Sequence, residues 1–387
     1  MGPPRIRQWR VFCVTPSKRS LPPAGGARAI ESGTVSNASE RHAHDGTLEG
    51  PYGFEQHLIF GGVSFGQGKH QLPTILTSPS MDVIREKEGL LDSAERVTVK
   101  TPDGRQLEAI VSGDVQGLPL VFHNGAPMGL VLLPSFMDPA QYGLRTVIYA
   151  RPGYAGSWPH SWRTVADAAA DTASVLDALG ARRFVTLGWS AGGPCALACA
   201  ALLPERCLAA AVVASQLPFI EAPETFTPED AELARLRARP ADEAEVTKYF
   251  EAWTARFTDV RADGMAERFS CPADRQAMTS GEFANWMAAS FSTAFVAGIE
   301  GVRGDFVASR SAREWGFKVE QARRVAIWNG AEDPMAPVAD AVWLDENIPD
   351  AELHVLPEEG HVSIALRFPE IFADLIARSQ HIDREGT

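Results

Sequence analysis

Residues 185–194, "VTLGWSAGGP", place Ser190 between glycines at the junction of two different patterns. The run before it, "RFVTL", is short and apolar, as in a buried strand, and the run after it, "AGGPCALACAALL", favours a helix. Gly188 and Gly192 complete the pattern G-x-S-x-G, which alone is a weak signal. In its strand–turn–helix context, the pattern predicts a sharp turn that presents Ser190 as a nucleophile above a sheet.

From about Glu95 onward, strand patterns alternate with helical patterns. Short apolar runs that end in turn residues are "LPLVFHNG", "RTVIYARPG", "RFVTLGWS", "LAAAVVAS", "RVAIWNGAED" and "AELHVLPEEGH". Amphipathic stretches lie at 162–179, 191–203 and 338–347, and a hairpin is expected at 102–105. This alternation predicts an α/β fold with a mainly parallel sheet flanked by helices on both faces. Functional residues then cluster at the carboxyl ends of the strands.

A serine hydroxyl needs a base to remove its proton, and suitable partners follow two later strands. Asp333 lies after "RVAIWNG" and His361 after "AELHVLP", with room for one helix and one strand between them. We expect His361 to accept the Ser190 proton and Asp333 to orient the imidazole. Asp305, in "GVRGDFVA", is the alternative acid.

An oxyanion formed at Ser190 needs two preorganised backbone donors. The N–H group of Ala191, the residue after the nucleophile, is one candidate. The other is expected in the loop "HNGAP", which follows the strand "LVF". Ala126 is the predicted donor there, although the alignment of this loop is ambiguous by one residue.

Three regions are predicted along the chain. Residues 1–80 are rich in Pro, Gly, Ser and charge, and we interpret them as disordered or as an extension before a natural start at Met81. Residues 81–216 and 305–387 are expected to form the α/β core. Residues 217–304 break the strand–helix rhythm with helical patterns bounded by Pro and Gly, and predict a helical lid over the site.

Aromatic residues are frequent in the predicted lid. They could line an apolar pocket, or they could pack the helices of the lid together. The residues concerned are Phe250, Trp253, Phe257, Trp286, Phe291 and Phe295.

Composition excludes several classes of function. The formal net charge of −13 argues against a nucleic-acid surface or a basic membrane patch. No window approaches the roughly 18 apolar residues of a membrane-spanning helix, so we expect a cytoplasmic protein that acts on a small molecule. The 5 cysteines form no C-x-x-C pair and are interpreted as reduced, buried residues. No metal-ligand spacing occurs, and the oligomeric state stays open.

Five motifs occur in the order and spacing of one known superfamily. The segments "HNGAP", "RPGYAGS", "GWSAGG", "GAEDPMAP" and "EEGHVSI" resemble the signatures of α/β-hydrolases, in particular of the esterase and haloperoxidase-like branch. The resemblance covers about residues 95 to 380. It implies an α/β-hydrolase fold, a Ser190–Asp333–His361 triad, a lid after the sixth strand, and no metal or organic cofactor.

The chain departs from these signatures at a few positions in its loops. Asn124 replaces the usual motif histidine if His123 is the residue before the motif, Met128 stands where glycine often follows the proline, and Ala155 replaces a frequent glycine. These departures concern details of the oxyanion loop rather than the fold. Ser190 at the elbow also argues against haloalkane dehalogenases and epoxide hydrolases, which use aspartate there.

The expected function is therefore hydrolysis of a small, fairly apolar ester or related acyl compound through an acyl-enzyme. Two alternatives stay open. One is a ligand-binding protein that keeps the fold without catalysis, because fold alone does not determine function. The other is a C–C hydrolase, a lyase or an aminopeptidase that uses the same triad.

Overall fold

The structure is a computed structural model that describes residues 83–87, 94–217, 242–257, 260–279, 281–309 and 315–385, together with positions 232, 235 and 236. The predicted extension at 1–80 and the proposed start at Met81 lie outside the described residues.

Within the described residues, nine strands form one sheet in the order β1-β2-β3-β5-β4-β6-β7-β8-β9. The pairs β1–β2, β2–β3 and β3–β5 are antiparallel. All the other pairs, from β5–β4 to β8–β9, are parallel. The mainly parallel α/β sheet is therefore confirmed. The strands are β1 (Val83–Lys87), β2 (Ala94–Lys100), β3 (Gln106–Ser112), β4 (Leu118–His123), β5 (Leu144–Tyr149), β6 (Phe184–Trp189), β7 (Cys207–Val213), β8 (Val325–Gly330) and β9 (Glu352–Leu356).

The central strands are predominantly apolar because both faces of the sheet are covered. Every residue of β5, β6, β7 and β8 is buried. Along β6, Val185, Leu187 and Trp189 pack into one core with Phe368 of the last helix. Phe184 faces the second core on the other side. The period of two along the strand thus divides its side chains between two cores.

Helices α1 (Asp167–Ala178), α2 (Gly193–Leu202), α7 (Val338–Asn347) and α8 (Phe368–Glu385) accompany the parallel strands. The predicted helix at 162–179 begins later than expected. Trp162 has a φ of +64°, in the left-handed region, so a right-handed helix cannot begin there. Instead, the Asp167 carboxylate accepts hydrogen bonds from the N–H and hydroxyl groups of Thr164 at the start of α1.

Between β7 and β8, the described residues form four helices, α3 (Glu243–Thr254), α4 (Pro272–Ala277), α5 (Gly281–Thr293) and α6 (Glu300–Ser309). The predicted boundary at 304/305 falls inside α6, because Val302 and Phe306 are both buried on one face of this helix. The next strand begins only at Val325. No helix in the described part of the chain is long and apolar enough to cross a membrane.

Candidate active site

Ser190 lies at a strained turn between β6 and α2. It opens a short 3₁₀ segment, Ser190–Gly192, and has a φ of +53°. The neighbouring glycines are required by close backbone contacts. A Cβ added at Gly188 would lie 2.2 Å from the carbonyl oxygen of Gly192, and one added at Gly192 would lie 2.1 Å from that of His123. The two glycines of the pattern thus permit the turn that exposes the serine.

Ser190, His361 and Asp333 are brought together as predicted. Ser190 Oγ lies 3.0 Å from His361 Nε2, and His361 Nδ1 lies 2.9 Å from Asp333 Oδ2. The other oxygen of Asp333 accepts hydrogen bonds from the N–H groups of Met335 and Ala336, both at 2.8 Å. A proton on Nδ1, bonded to Asp333, leaves Nε2 free to accept the hydroxyl proton.

The loops after β8 and β9 pack directly against each other, which brings the acid close to the histidine. A Cβ at Gly330 would lie 2.2 Å from the carbonyl oxygen of Glu359, and the Ala331 N–H donates to the Leu356 carbonyl at 2.9 Å. The indole of Trp189 donates to the carbonyl of His361 at 3.1 Å. This bond ties the histidine loop to the residue that precedes Ser190.

The alternative acid, Asp305, forms its hydrogen bonds with two arginines and a tyrosine. Its carboxylate accepts hydrogen bonds from Arg151 (Nη2, 2.6 Å), Arg163 (Nη2, 2.5 Å) and the Tyr154 hydroxyl (2.8 Å). Burial raises the pKa of Asp305, but Arg151 and Arg163 more than offset it and bring the pKa to about 2. Asp305 is therefore a charged member of a buried ion network.

The predicted oxyanion donors lie in segments next to Ser190. A Cβ added at Gly125 would lie 3.3 Å from the Ser190 Cβ, so the loop that carries Ala126 runs beside Ser190. Ala191 belongs to the first turn of a helical segment, where N–H groups have no acceptor within the helix. Arg151 donates to the carbonyl groups of Asn124 (2.5 Å) and Gly125 (3.1 Å). The sequence contains Arg151 in "RPGYAGS" but does not reveal this role.

A cavity of about 560 Å³ opens onto Ser190 and His361. Core loops and inserted helices both contribute to its wall, which is mostly apolar. Of the aromatic residues considered, Trp253, Phe257 and Phe291 line the cavity, and three do not: Phe250, Trp286 and Phe295. The other lining residues are Gly125, Ala126, Pro127, Met128, Trp189, Arg256, Arg268, Phe269, Ser270, Asp274, Met287, Pro334, Met335 and Val362.

The described cysteines, Cys195, Cys199, Cys207 and Cys271, are all buried free thiols. Burial raises the pKa of the Cys207 thiol to about 12. Among the residues that the structure describes, no group of three or more His, Cys, Asp or Glu side chains could hold a metal ion.

Comparison with solved structures finds similar folds. An alpha/beta hydrolase fold protein from Nakamurella multipartita is 20% identical, with a TM-score of 0.51, over 74% of this chain and 99% of that chain. An esterase from Exiguobacterium antarcticum is 18% identical, with a TM-score of 0.49, over 73% and 98%. The enol-lactonase from Burkholderia xenovorans LB400 is 17% identical, with a TM-score of 0.46, over 73% and 98%. At such identities the likeness concerns the fold alone.

No curated protein matches the chain. A family model described as the alpha/beta hydrolase fold matches residues 119–367. This match covers more than half of the chain and includes the loops of Ser190, Asp333 and His361. The protein therefore belongs to the alpha/beta hydrolase fold family, which supports a hydrolase.

Proposed function

We propose that the protein is a serine hydrolase that cleaves a carboxylic ester or related acyl compound. One observation carries the proposal: hydrogen bonds link Asp333 to His361 at 2.9 Å and His361 to Ser190 Oγ at 3.0 Å, at the wall of a cavity. Both distances are within the range needed for proton transfer. The family supports a hydrolase, and the carboxylic-ester specificity is our proposal.

The reaction has two stages. His361 Nε2 takes the Ser190 proton while Oγ attacks the acyl carbon, and the N–H groups of Ala126 and Ala191 stabilise the oxyanion. His361 then gives the proton to the leaving alcohol, and the acyl group stays on Oγ. In the second stage His361 takes a proton from a water molecule, and the water oxygen attacks the acyl carbon. The bond between the acyl carbon and Oγ then breaks, the acid leaves, and His361 returns the proton to Oγ. This reaction needs no metal or organic cofactor.

The substrate is a small, fairly apolar molecule. The cavity volume of about 560 Å³ lies in the usual range for small-molecule sites. Met128, Trp253, Phe257, Met287 and Phe291 contribute apolar surface to it. Because several of these residues lie on the inserted helices, we propose that residues 217–304 act as a lid that excludes water from the acyl-enzyme.

The first test is labelling with a fluorophosphonate probe, followed by mapping of the modified peptide. Wild-type protein and the control Ser292→Ala, which changes an exposed serine of α5 outside the cavity wall, should be labelled at Ser190. Ser190→Ala should not be labelled and should lose turnover of an ester panel. Folded wild-type protein that is not labelled would contradict the proposal and favour a ligand-binding role. If Ser190 is labelled but the protein cleaves amides or C–C bonds instead of esters, the triad stays and the proposed ester substrate is wrong.

A further inference from the structure

A carboxylate of the inserted segment binds the backbone of the histidine loop. Asp274, in α4, is only 1% exposed. Its Oδ2 accepts a hydrogen bond from the N–H of His361 at 3.1 Å. Its Oδ1 accepts from the N–H groups of Val362 at 3.0 Å and Ser363 at 2.9 Å. Two carboxylate oxygens thus satisfy three successive backbone donors, which suits an acceptor-only ionised side chain.

The approach of Asp274 to this loop depends on the absence of a side chain at Gly360. A Cβ added there would lie 2.4 Å from Asp274 Oδ1 and 2.6 Å from Cys271 Sγ. Distances under 3 Å essentially never occur for real Cβ atoms. The glycine before the histidine in "EEGHVSI" therefore leaves the space that Asp274 and Cys271 of the inserted segment occupy.

Both backbone polar groups of His361 are bonded. Asp274 accepts from its N–H, and the indole of Trp189 donates to its carbonyl at 3.1 Å. The imidazole must keep Nε2 near Ser190 Oγ and Nδ1 near Asp333 at the same time. Such a site tolerates little movement of the backbone that carries the ring.

We propose that Asp274 is a positioning residue of the catalytic base, so that the inserted segment holds His361 in its reactive position as well as covering the cavity. The proposal rests on the proposed serine-hydrolase function. Loss of the Asp274 contact frees the 361–363 backbone and moves the imidazole away from Ser190. The acyl-binding wall of the cavity changes less, because most of its apolar residues lie on other segments.

Asp274→Asn separates this role from simple stability. The remaining carbonyl oxygen can keep the bonds from Val362 and Ser363, whereas the new amide group faces the His361 N–H, donor against donor. We expect kcat for a short-chain ester to fall about 10- to 100-fold with little change in KM. Asp263→Asn is the matched control, because Asp263 is an exposed aspartate of the same segment that pairs with the exposed Arg261.

Hydrogen exchange provides a readout that does not depend on activity. In folded Asp274→Asn, the amides of the peptide that contains residues 361–363 should exchange faster than in wild-type protein. The exchange rates of the sheet amides should be unchanged. Gly360→Ala disturbs the same contact from the histidine loop, because its Cβ would collide with the Asp274 carboxylate. It should also lower kcat and speed exchange at 361–363, and it replaces Asp274→Asn as the test if that variant does not fold.

Three results would overturn the proposal. These are unchanged exchange at 361–363, faster exchange with unchanged kcat, or a raised KM with unchanged kcat, which would indicate substrate contact instead. Absence of labelling of wild-type Ser190 contradicts the proposed function separately, and the exchange experiment still tests the contact.

Discussion

Arg151 and Asp305 form a buried ion pair that connects helix α6 to the loop of Ala126. Arg151 Nε lies 2.9 Å from Asp305 Oδ1, and Nη2 lies 2.6 Å from Oδ2. The same guanidinium donates to the carbonyl oxygens of Asn124 and Gly125. One side chain thus orients two peptide groups immediately before the predicted oxyanion donor, and Asp305 orients that side chain.

Arg151→Lys should lower kcat/KM for esters by up to about 100-fold, because a lysine ammonium keeps the charge but cannot reproduce the planar fork of donors. Arg163→Lys is the matched control, since Arg163 binds Asp305 but neither loop carbonyl. Steady-state kinetics on one ester, with thermal unfolding as a check on folding, provide the measurement. Equal losses of activity in both variants would show that the loop contacts contribute nothing specific.

The Asp305 network should also make stability depend on pH in acid. The folded-state pKa of Asp305 is about 2 and its ordinary value is 3.8, so its stabilisation is complete above pH 4 to 5 and is lost as the pH falls towards 2. The total effect is at most about 2 to 3 kcal/mol. Urea unfolding of wild-type protein and Asp305→Asn from pH 7 to pH 3 should give a free-energy difference that shrinks only in acid. A difference that stays constant to pH 3 would contradict the lowered pKa.

Asp333→Asn should reduce kcat by about 10⁴-fold through the tautomer of His361. The N–H groups of Met335 and Ala336 hold one oxygen of this side chain, so the asparagine oxygen stays there and its amide faces Nδ1. The proton of the imidazole then moves to Nε2, which can no longer accept from Ser190. The rate of fluorophosphonate labelling and ester kcat should fall together. Retention of both in a folded variant would rule out Asp333 as the acid.

The turn around Ser190 should not tolerate even one added methyl group at Gly192. Gly192→Ala would place a Cβ 2.1 Å from the His123 carbonyl oxygen, and this backbone atom cannot move aside cheaply. We expect destabilisation of about 3 kcal/mol or more, at the upper end for overpacking. Gly281→Ala is the control, because nothing lies within 4 Å of a Cβ there. Urea unfolding of both variants measures the difference, and similar stabilities would mean that the turn can relax.

The fold and the proximity of Ser190, Asp333 and His361 could be predicted because their signals are local. Strands β5 to β8 are buried throughout and are predominantly apolar. Ser190 directly follows β6, Asp333 lies in the loop after β8, and His361 lies in the loop after β9. The hairpin at 102–105 was also confirmed, since β2 and β3 pair antiparallel around it. A parallel sheet then brings the carboxyl ends of its strands to one edge without further information.

The supporting contacts could not be predicted, because they join distant parts of the chain without a local pattern. Asp274 looks like an ordinary helix carboxylate in the sequence, and Asp305 is considered there only as an alternative acid. The tertiary structure brings Asp274 to His361 and Asp305 to Arg151. The predicted boundary at 304/305 falls inside α6. The helical period of α6 continues through it, since Val302 and Phe306 are buried together.

Phe257 should set the preference for the length of the acyl chain. Its ring lines the cavity and packs edge-on against Phe291, with ring centroids 5.1 Å apart. Phe257→Ala removes part of the apolar wall of the cavity. KM for a hexanoate ester should therefore rise by about 10-fold, equivalent to about 1.4 kcal/mol of lost contact. KM for an acetate ester should rise much less.

Phe295→Ala separates substrate binding from the packing of the inserted helices. Phe295 belongs to the same aromatic cluster, with its centroid 5.8 Å from that of Phe257, but it does not line the cavity. Both truncations should loosen the inserted helices, whereas only Phe257→Ala should change the ratio of KM between hexanoate and acetate. An equal change of that ratio in both variants would mean that these aromatics act by holding the helices together, and that the acyl chain binds elsewhere in the cavity.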